Sequence, residues 1–207
     1  MNAPPTAVEV GRQFSQRGKK RKIEILDAAL RIIARDGLSE LTMRALALEA
    51  DIPLGATTYY FSSKSAIISE AFKLHAERET NRVLAATRKL SPGRSTHQYA
   101  DELSKFLIGG LTDHRNQLIA EYELLIGATR EPNLAALSRS WQIPMRRELS
   151  DVAGRLGSPM PVVDAQVLLG LLAGLEVDYL SVEPSAIDKA RIRSILRRSV
   201  SALFTSP

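Results

Sequence analysis

The 207-residue sequence contains no cysteine, which excludes disulfide bonds and cysteine-ligated metal sites. It also lacks a long uninterrupted apolar run. The most apolar stretch, residues 162–180, is broken by Asp164, Gln166, Glu176 and Asp178, so no membrane span is expected. Residues 1–22 have no apolar segment of the kind that a signal peptide needs. These absences predict a cytoplasmic protein that does not insert into a membrane.

The charge is unevenly distributed. Residues 1–22 hold six of the 28 basic residues but one of the 23 acidic residues, so the net charge of +5 comes from this segment. A basic segment beside a neutral body favours contact with phosphate or with an anionic membrane surface. The alternative is a solvated tail that serves solubility, and the charge alone does not separate the two.

Catalytic signatures are missing as well. The three histidines, His75, His97 and His114, are far apart in the sequence, and no metal-ligand spacing or nucleophile motif surrounds them. We therefore predict that the protein is not an enzyme and has no cofactor and no metal site. Folding could still bring the histidines together, and a helical DNA-binding or scaffold protein without regulatory function is a second alternative.

The apolar periodicity predicts an all-α protein with about nine helices. Residues 1–18 are rich in Pro, Gly, Ser and Gln, and we expect them to form a disordered basic arm. From residue 23 almost to the end, apolar residues recur at helical spacing, and no strand pattern is evident. The turn-like composition of residues 90–95 separates an N-terminal module from the remainder.

A short helix over residues 43–50, a turn at 51–53 and a second short helix over 54–60 form a candidate helix-turn-helix. In this motif the second helix enters the major groove of DNA, where small residues allow the backbone to approach closely. The second helix reads "LGATTYY", so hydroxyls of its threonines and tyrosines are available to phosphates and base edges. The alternative is that "TTYYF" packs in a core, as is expected for Phe61.

Residues 20–75 resemble the DNA-binding domain of the TetR/AcrR family of transcriptional regulators. The resemblance lies in "ILDAALRIIARDGLSELTMRALALEADIPLGATTYYFSSKSAIISEAF", in which a helix ends at glycine, a Thr-led helix and a turn follow, and a Gly-containing helix ends in aromatics. It implies a three-helix DNA-binding domain over 19–66 and a ligand-binding and dimerisation domain over 67–207. The DNA-binding positions that it implies are Thr42, Arg44, Leu54, Gly55, Ala56, Thr58, Tyr59, Tyr60 and Lys64.

Two departures from the family pattern concern the turn. Asp51 stands where the family usually has glycine, at a position that often requires a positive φ, and aspartate tolerates this conformation better than most residues. Pro53 replaces the usual Ser or Thr cap; it fits a first helical turn but offers no capping hydroxyl. We expect the turn to survive both changes.

The resemblance implies a C-terminal domain, and the roles of its residues are predicted from physical reasoning. Residues 162–181 are apolar nearly all round and need a partner. Together with the helix at 186–204, we expect them to pair with the same two helices of a second copy as a four-helix bundle; a central core helix in a monomer is the alternative. The candidate dimer contacts are Leu168, Leu171, Leu172, Leu175, Ile192, Leu196 and Leu203. The candidate ligand-pocket residues, each of which could instead be plain core, are His75, Phe106, Glu121, Tyr122, Trp141 and Met145.

The resemblance thus implies a transcriptional repressor. Its predicted partners are a double-stranded DNA operator of pseudopalindromic sequence, a second copy of itself and a small, largely apolar effector that releases it from DNA. The fourth helix, which links the two domains, is the expected route between effector and DNA. An activator with the same architecture, or a DNA-binding protein without an effector, is the alternative.

Overall fold

The computed structural model describes the backbone of residues 7–90, 93 and 95–204, and the side chains from residue 18 onward. The described residues form nine α-helices and no strand, which confirms the predicted all-α class. The helices are α1 (Ala7–Asp36), α2 (Met43–Glu49), α3 (Leu54–Tyr60), α4 (Lys64–Thr87), α5 (Thr96–Leu111), α6 (Arg115–Gly127), α7 (Pro132–Arg155), α8 (Pro161–Leu180) and α9 (Lys189–Phe204).

The ends of the first helices follow from local chemistry. Gly37 has a φ of 90°, which ends α1 at a conformation that other residues avoid. Thr42 and Ser63 cap α2 and α4, because their hydroxyls accept hydrogen bonds from the backbone N–H groups of Ala45 and Ala66. These caps fix where the short helices around the turn begin.

Helix α1 is longer than the sequence predicted. It begins at Ala7, so residues 7–18, which were expected to be disordered, are helical, while residues 1–6 lie outside the described part of the chain. The polar composition that favoured disorder contains no proline after residue 5, and nothing in it prevents the helix from extending backward.

Two apolar cores organise the described chain. The first joins buried residues of α1, α2 and α4 to Ala120 and Leu124 of α6 and Leu134 of α7. The second joins α5, α8 and α9, with Ile192 and Leu196 fully buried. Helix α6 packs on α1 and α4, and α7 packs on α4, so the N-terminal helices meet the C-terminal domain through α1 as well as α4. Among the described residues, no helix is long and apolar enough to span a membrane.

Candidate DNA-binding surface and ligand cavity

The turn between α2 and α3 has the predicted geometry. Asp51 has a φ of 51°, the one positive φ among the described non-glycine residues. The backbone N–H of Ile52 then donates to the Ala47 carbonyl at 3.0 Å, and Pro53 precedes α3 without a side-chain cap. The Asp51 carbonyl accepts from Arg21 of α1 at 3.2 Å, so the turn is braced by the first helix.

We expect substitutions at Asp51 to separate backbone strain from side-chain chemistry. Asp51→Gly removes the cost of the left-handed conformation and should leave stability equal or raised by about 0.5–1 kcal/mol. Asp51→Val adds a β-branched side chain at the same φ and should lower stability by about 1–2 kcal/mol. Thermal unfolding of the three proteins measures both effects. Equal melting temperatures for all three would contradict a strained turn.

Helix α3 presents part of its surface to solvent. Tyr59 is 83 % exposed, and its ring meets Tyr60 edge-on with centroids 5.2 Å apart. Gly55 and Thr58 are exposed, and a side chain at Gly55 would meet no atom within 4 Å. This open, small-residue start followed by an exposed aromatic ring is the shape that a helix needs in order to enter a groove.

Thr57 does not face solvent as the sequence interpretation expected, and Tyr60 is less exposed than Tyr59. Thr57 is fully buried and its hydroxyl donates to the Leu54 carbonyl at 2.6 Å, so it is not available to DNA. Tyr60 is half-buried and packs against the first core beside Phe61, which is buried as expected. The two tyrosines therefore face different surroundings, and Tyr59 is the more exposed ring.

The remaining positions of the predicted DNA-binding set flank α3. Leu54 is 45 % exposed and Ala56 is half-buried. Arg44 is exposed. Lys64 is the first residue of α4, and its Nζ donates to the Ser39 carbonyl at 2.8 Å. Thr42 is exposed, although its hydroxyl already serves as the α2 cap. Whether these residues touch DNA stays a prediction.

Two residues of the predicted basic segment, Arg21 and Lys22, form contacts within the protein. Arg21 forms an ion pair with Glu24 at 2.9 Å, and Lys22 contacts Glu70 at 3.2 Å with its Nζ 5.7 Å from the centre of the Phe61 ring. Lys22 therefore holds α1 against α4 and against Phe61 after α3, and Arg21 holds it against the turn through the Asp51 carbonyl. Lys19 and Lys20 are exposed and are the described residues of this segment that remain open to phosphate.

A cavity of about 290 Å³ lies between α4, α5, α6, α7 and α8. Its lining includes five of the six predicted pocket residues, namely Phe106, Glu121, Tyr122, Trp141 and Met145. His75, the sixth, does not line it. His75 is buried behind the wall, where its Nε2 lies 2.9 Å from Glu121 Oε2 and its ring meets Trp141 edge-on. Its contacts with Glu121 and Trp141 hold these two lining residues in position.

Charged residues that the sequence analysis missed also line this cavity. Tyr122 donates its hydroxyl hydrogen bond to Glu176 Oε2 at 2.9 Å, and burial raises the pKa of the Glu176 carboxyl to about 7. Glu79 accepts two hydrogen bonds of 2.8 Å from Arg82, whose guanidinium lies 3.7 Å above the Phe106 ring. These residues are distant in sequence, so no local spacing marks them as a group.

A second, smaller cavity of about 120 Å³ adjoins the first. The two share Val83, Phe106, Leu149, Leu169 and Leu172 as lining residues. The lining of the smaller cavity is almost wholly apolar, with Glu102 and Thr87 as the exceptions among mainly aliphatic side chains of α4, α5, α7, α8 and α9. The domain therefore holds an apolar chamber that opens beside a polar, aromatic one.

Most of the predicted dimer contacts lie inside the single chain. Leu175, Ile192 and Leu196 are buried in the chain's own second core, and Leu168 and Leu172 line the apolar cavity. Leu171 packs partly against the same core, and Leu203 is half-buried. These bulky side chains therefore fill the interior of the protomer.

Helix α8 instead exposes a face of small and β-branched residues. Val163, Val167 and Val177 are 51 %, 47 % and 56 % exposed. Gly170 and Gly174 lie between them, and a side chain at either glycine would meet no atom within 4 Å. Spacings of 4, 3, 4 and 3 place all five on one stripe of a helix, the pattern of a helix-pairing seam. This spacing was readable in the sequence.

Family comparisons cover most of the chain. A family model described as "Bacterial regulatory proteins, tetR family" matches residues 25–71, and one described as "Tetracyclin repressor-like, C-terminal domain" matches residues 94–202. The first match contains α2 and α3, and the second contains α5 to α8 and most of α9.

The individual relatives have low sequence identity to this chain. The chain is 26% identical over 130 residues to the nicotine-responsive transcriptional repressor HdnoR of Paenarthrobacter nicotinovorans, covering 63% of this chain and 66% of that protein. It is 24% identical to the transcriptional regulator PksA of Bacillus subtilis, covering 89% and 90%. The crystal structure of the multidrug binding protein EbrR with ethidium is similar, with a TM-score of 0.65, 29% identity and coverage of 86% and 98%.

Proposed function

Because the chain belongs to the TetR family of transcriptional regulators, we propose that it is a repressor that binds a pseudopalindromic operator as a homodimer and leaves it when a small molecule binds. The observation that carries the DNA-binding part is the exposed surface of α3, with Gly55 open and Tyr59 83 % exposed at the end of a braced turn. The residues proposed to contact DNA are Thr42, Arg44, Leu54, Gly55, Ala56, Thr58, Tyr59, Tyr60 and Lys64.

The homodimer is proposed to form through the α8 stripe. Val163, Val167, Gly170, Gly174 and Val177 present a narrow apolar face that a single chain leaves in solvent. Pairing two such faces about a two-fold axis removes the valines from water, and the glycines let the two backbones approach closely. The same axis relates two copies of α3, which fits an operator with two half-sites.

The effector is proposed to occupy the paired cavities. HdnoR is a nicotine-responsive repressor, and the EbrR structure is a complex with ethidium, which supports a small organic molecule as the effector here. The family resemblance favours repression over activation. A ligand releases DNA only if it binds more tightly to the conformation in which the two copies of α3 do not match the operator.

Helix α6 gives a short route from cavity to DNA-binding surface. Glu121 and Tyr122 line the cavity, whereas the next residue, Glu123, accepts a hydrogen bond of 3.3 Å from the Leu38 backbone N–H next to α1. Leu124 is fully buried in the first core. Neighbouring residues of one helix thus contact both regions, so we propose α6 alongside α4 as the element that a ligand displaces.

Gly127 allows this route to be tested without a ligand. A Cβ at Gly127 would lie 2.4 Å from Leu38 Cδ2, so Gly127→Ala forces the Leu38 side chain to move from its place against the first core. We expect operator affinity to fall by about fivefold, which corresponds to overpacking of about 1 kcal/mol, in an otherwise folded dimer. The double variant Gly127→Ala/Leu38→Ala should recover affinity, because the clashing side chain is shortened.

Fluorescence anisotropy with labelled operator measures both Gly127 variants, and thermal unfolding confirms that they are folded. A Gly127→Ala protein that keeps wild-type affinity would contradict coupling through this contact. A loss that the second substitution fails to reverse would assign the effect to general destabilisation instead.

The proposed function is tested by mixing the protein with fragments of the source genome and sequencing those that remain bound. A repressor should enrich a few fragments upstream of genes and should reduce transcription in vitro from promoters carrying them. An enhancement of transcription would indicate an activator. Enrichment without sequence preference would indicate a structural DNA-binding protein, and an absence of DNA binding would overturn the proposal.

A further inference from the structure

The larger cavity is lined by aromatic rings and by three carboxylates, which outnumber the basic groups paired with them. Glu79, Glu121 and Glu176 line it together with Arg146 and the nearby Arg82. Arg82 is already committed to Glu79 through two hydrogen bonds of 2.8 Å. Arg146 is exposed and its guanidinium donates to Gln166 and Gln142 rather than to a carboxylate. No described lysine or arginine is paired with Glu121 or Glu176.

The other two carboxylates, those of Glu121 and Glu176, each have one side-chain hydrogen-bond partner. Glu176 accepts a hydrogen bond from the Tyr122 hydroxyl, and Glu121 lies against the His75 ring. Burial raises the pKa of Glu176 to about 7; the nearby Glu121 and Glu79 carboxylates also raise it, while the Tyr122 hydrogen bond and the Arg82 charge lower it. A cation placed in the cavity would favour the ionised form of this side chain and gain the attraction of both carboxylates.

The cavity wall already holds one cation in this manner. The Arg82 guanidinium lies 3.7 Å above the Phe106 ring and bonds to the Glu79 carboxylate. Tyr122 and Trp141 supply two further rings on the lining, close to Glu121 and Glu176. Aromatic faces attract cations, and organic cations bring apolar groups that such rings accommodate better than water does. The Arg82 arrangement therefore shows what an external cation could repeat.

We propose that the effector of this protein is a small organic cation whose charged nitrogen lies near Glu121 and Glu176 and whose apolar body extends into the adjoining chamber. The inference rests on the proposed function, since it names the ligand class of the same cavity. The smaller chamber shares Val83, Phe106 and Leu172 with the larger one and offers almost no polar atom. The pair of chambers thus refines the expected "largely apolar" effector by adding one positive charge.

The test compares two probes of equal shape. Benzyltrimethylammonium carries a permanent positive charge, and neopentylbenzene replaces its nitrogen with carbon. We expect isothermal titration calorimetry to show at least about tenfold tighter binding of the cation to the intact protein. Glu176→Gln keeps the side-chain volume and the hydrogen bond from Tyr122 but removes the charge, so it should reduce that preference by about tenfold.

Two controls make the outcomes distinct. Glu148→Gln removes a carboxylate of α7 that does not line either cavity, and it should keep the wild-type preference for the cation. Glu121→Gln should resemble Glu176→Gln if both carboxylates face the ligand. Thermal unfolding checks that every variant is folded, and Trp141 fluorescence reports whether the probe binds near the larger cavity.

Equal affinity for the two probes, or a preference that survives both cavity substitutions, would overturn the cationic ligand class while leaving an effector cavity in place. Failure of both probes to bind would overturn the cationic class and count against the effector part of the proposed function. Sequence-specific DNA binding is measured separately and is unaffected by either result.

Discussion

Replacing Val167 with glutamate is expected to convert the dimer into monomers and to lower operator affinity by about 100-fold or more, because linked half-site binding is lost. Val167 is 47 % exposed near the middle of the α8 stripe, next to Gly170. A two-fold axis packs such a stripe against its own copy, so each dimer would have to bury two added carboxylates without partners. The stripe would then stay in solvent.

Sedimentation equilibrium of the Val167→Glu protein measures the change in mass, and anisotropy with a two-half-site operator measures the change in affinity. Ala136→Glu is the matched control, since Ala136 is exposed on α7 and outside the α8 stripe. The control should remain dimeric. A Val167→Glu protein that is dimeric and binds the operator normally would show that α8 does not form the interface.

The second large effect is expected at Tyr59. Tyr59→Ala should lower operator affinity by about 30–800-fold, since each dimer loses two contacts of about 1–2 kcal/mol. The melting temperature of the variant should hardly change, because the Tyr59 ring is 83 % exposed and meets Tyr60 edge-on. Lys64→Ala should also weaken binding, through loss of a charge at the start of α4.

Tyr60→Ala serves as the structural control. Tyr60 is half-buried against the first core, so its removal should lower the melting temperature as well as the affinity. Tyr59→Phe separates the two parts of the Tyr59 contribution, because it keeps the ring and removes the hydroxyl. If Tyr59→Ala unfolds the N-terminal helices, the residue belongs to the core and the assignment of α3 as the groove-entering helix loses its main support.

The sequence predicted the helices well because apolar periodicity and end signals act locally. Thr42, Ser63 and Gly37 mark helix ends through their own backbone chemistry, and Asp51 marks the turn in the same way. The phase of α3 was harder to predict. With seven residues and four hydroxyl-bearing side chains in a row, nothing in the pattern indicated that Thr57 would face the core and Tyr59 the solvent.

The C-terminal domain was harder for another reason. Residues of α8 are apolar on nearly every side, so hydrophobicity could not separate the inward leucines from the outward valines. Side-chain size does separate them, because Leu175 is buried in the second core and Val167 faces solvent. The cavity depends on Glu79, Tyr122 and Glu176, which lie on three helices and approach one another through packing alone.

The central claim is that two copies of α3 read a two-fold symmetric DNA sequence. Selection from random duplex DNA followed by footprinting tests it most directly. The account predicts that the selected sequences share a short inverted repeat, that one dimer protects both halves, and that Tyr59→Ala loses the protection. Selected sequences with no symmetric motif, or equal protection by the Tyr59→Ala protein, would contradict it.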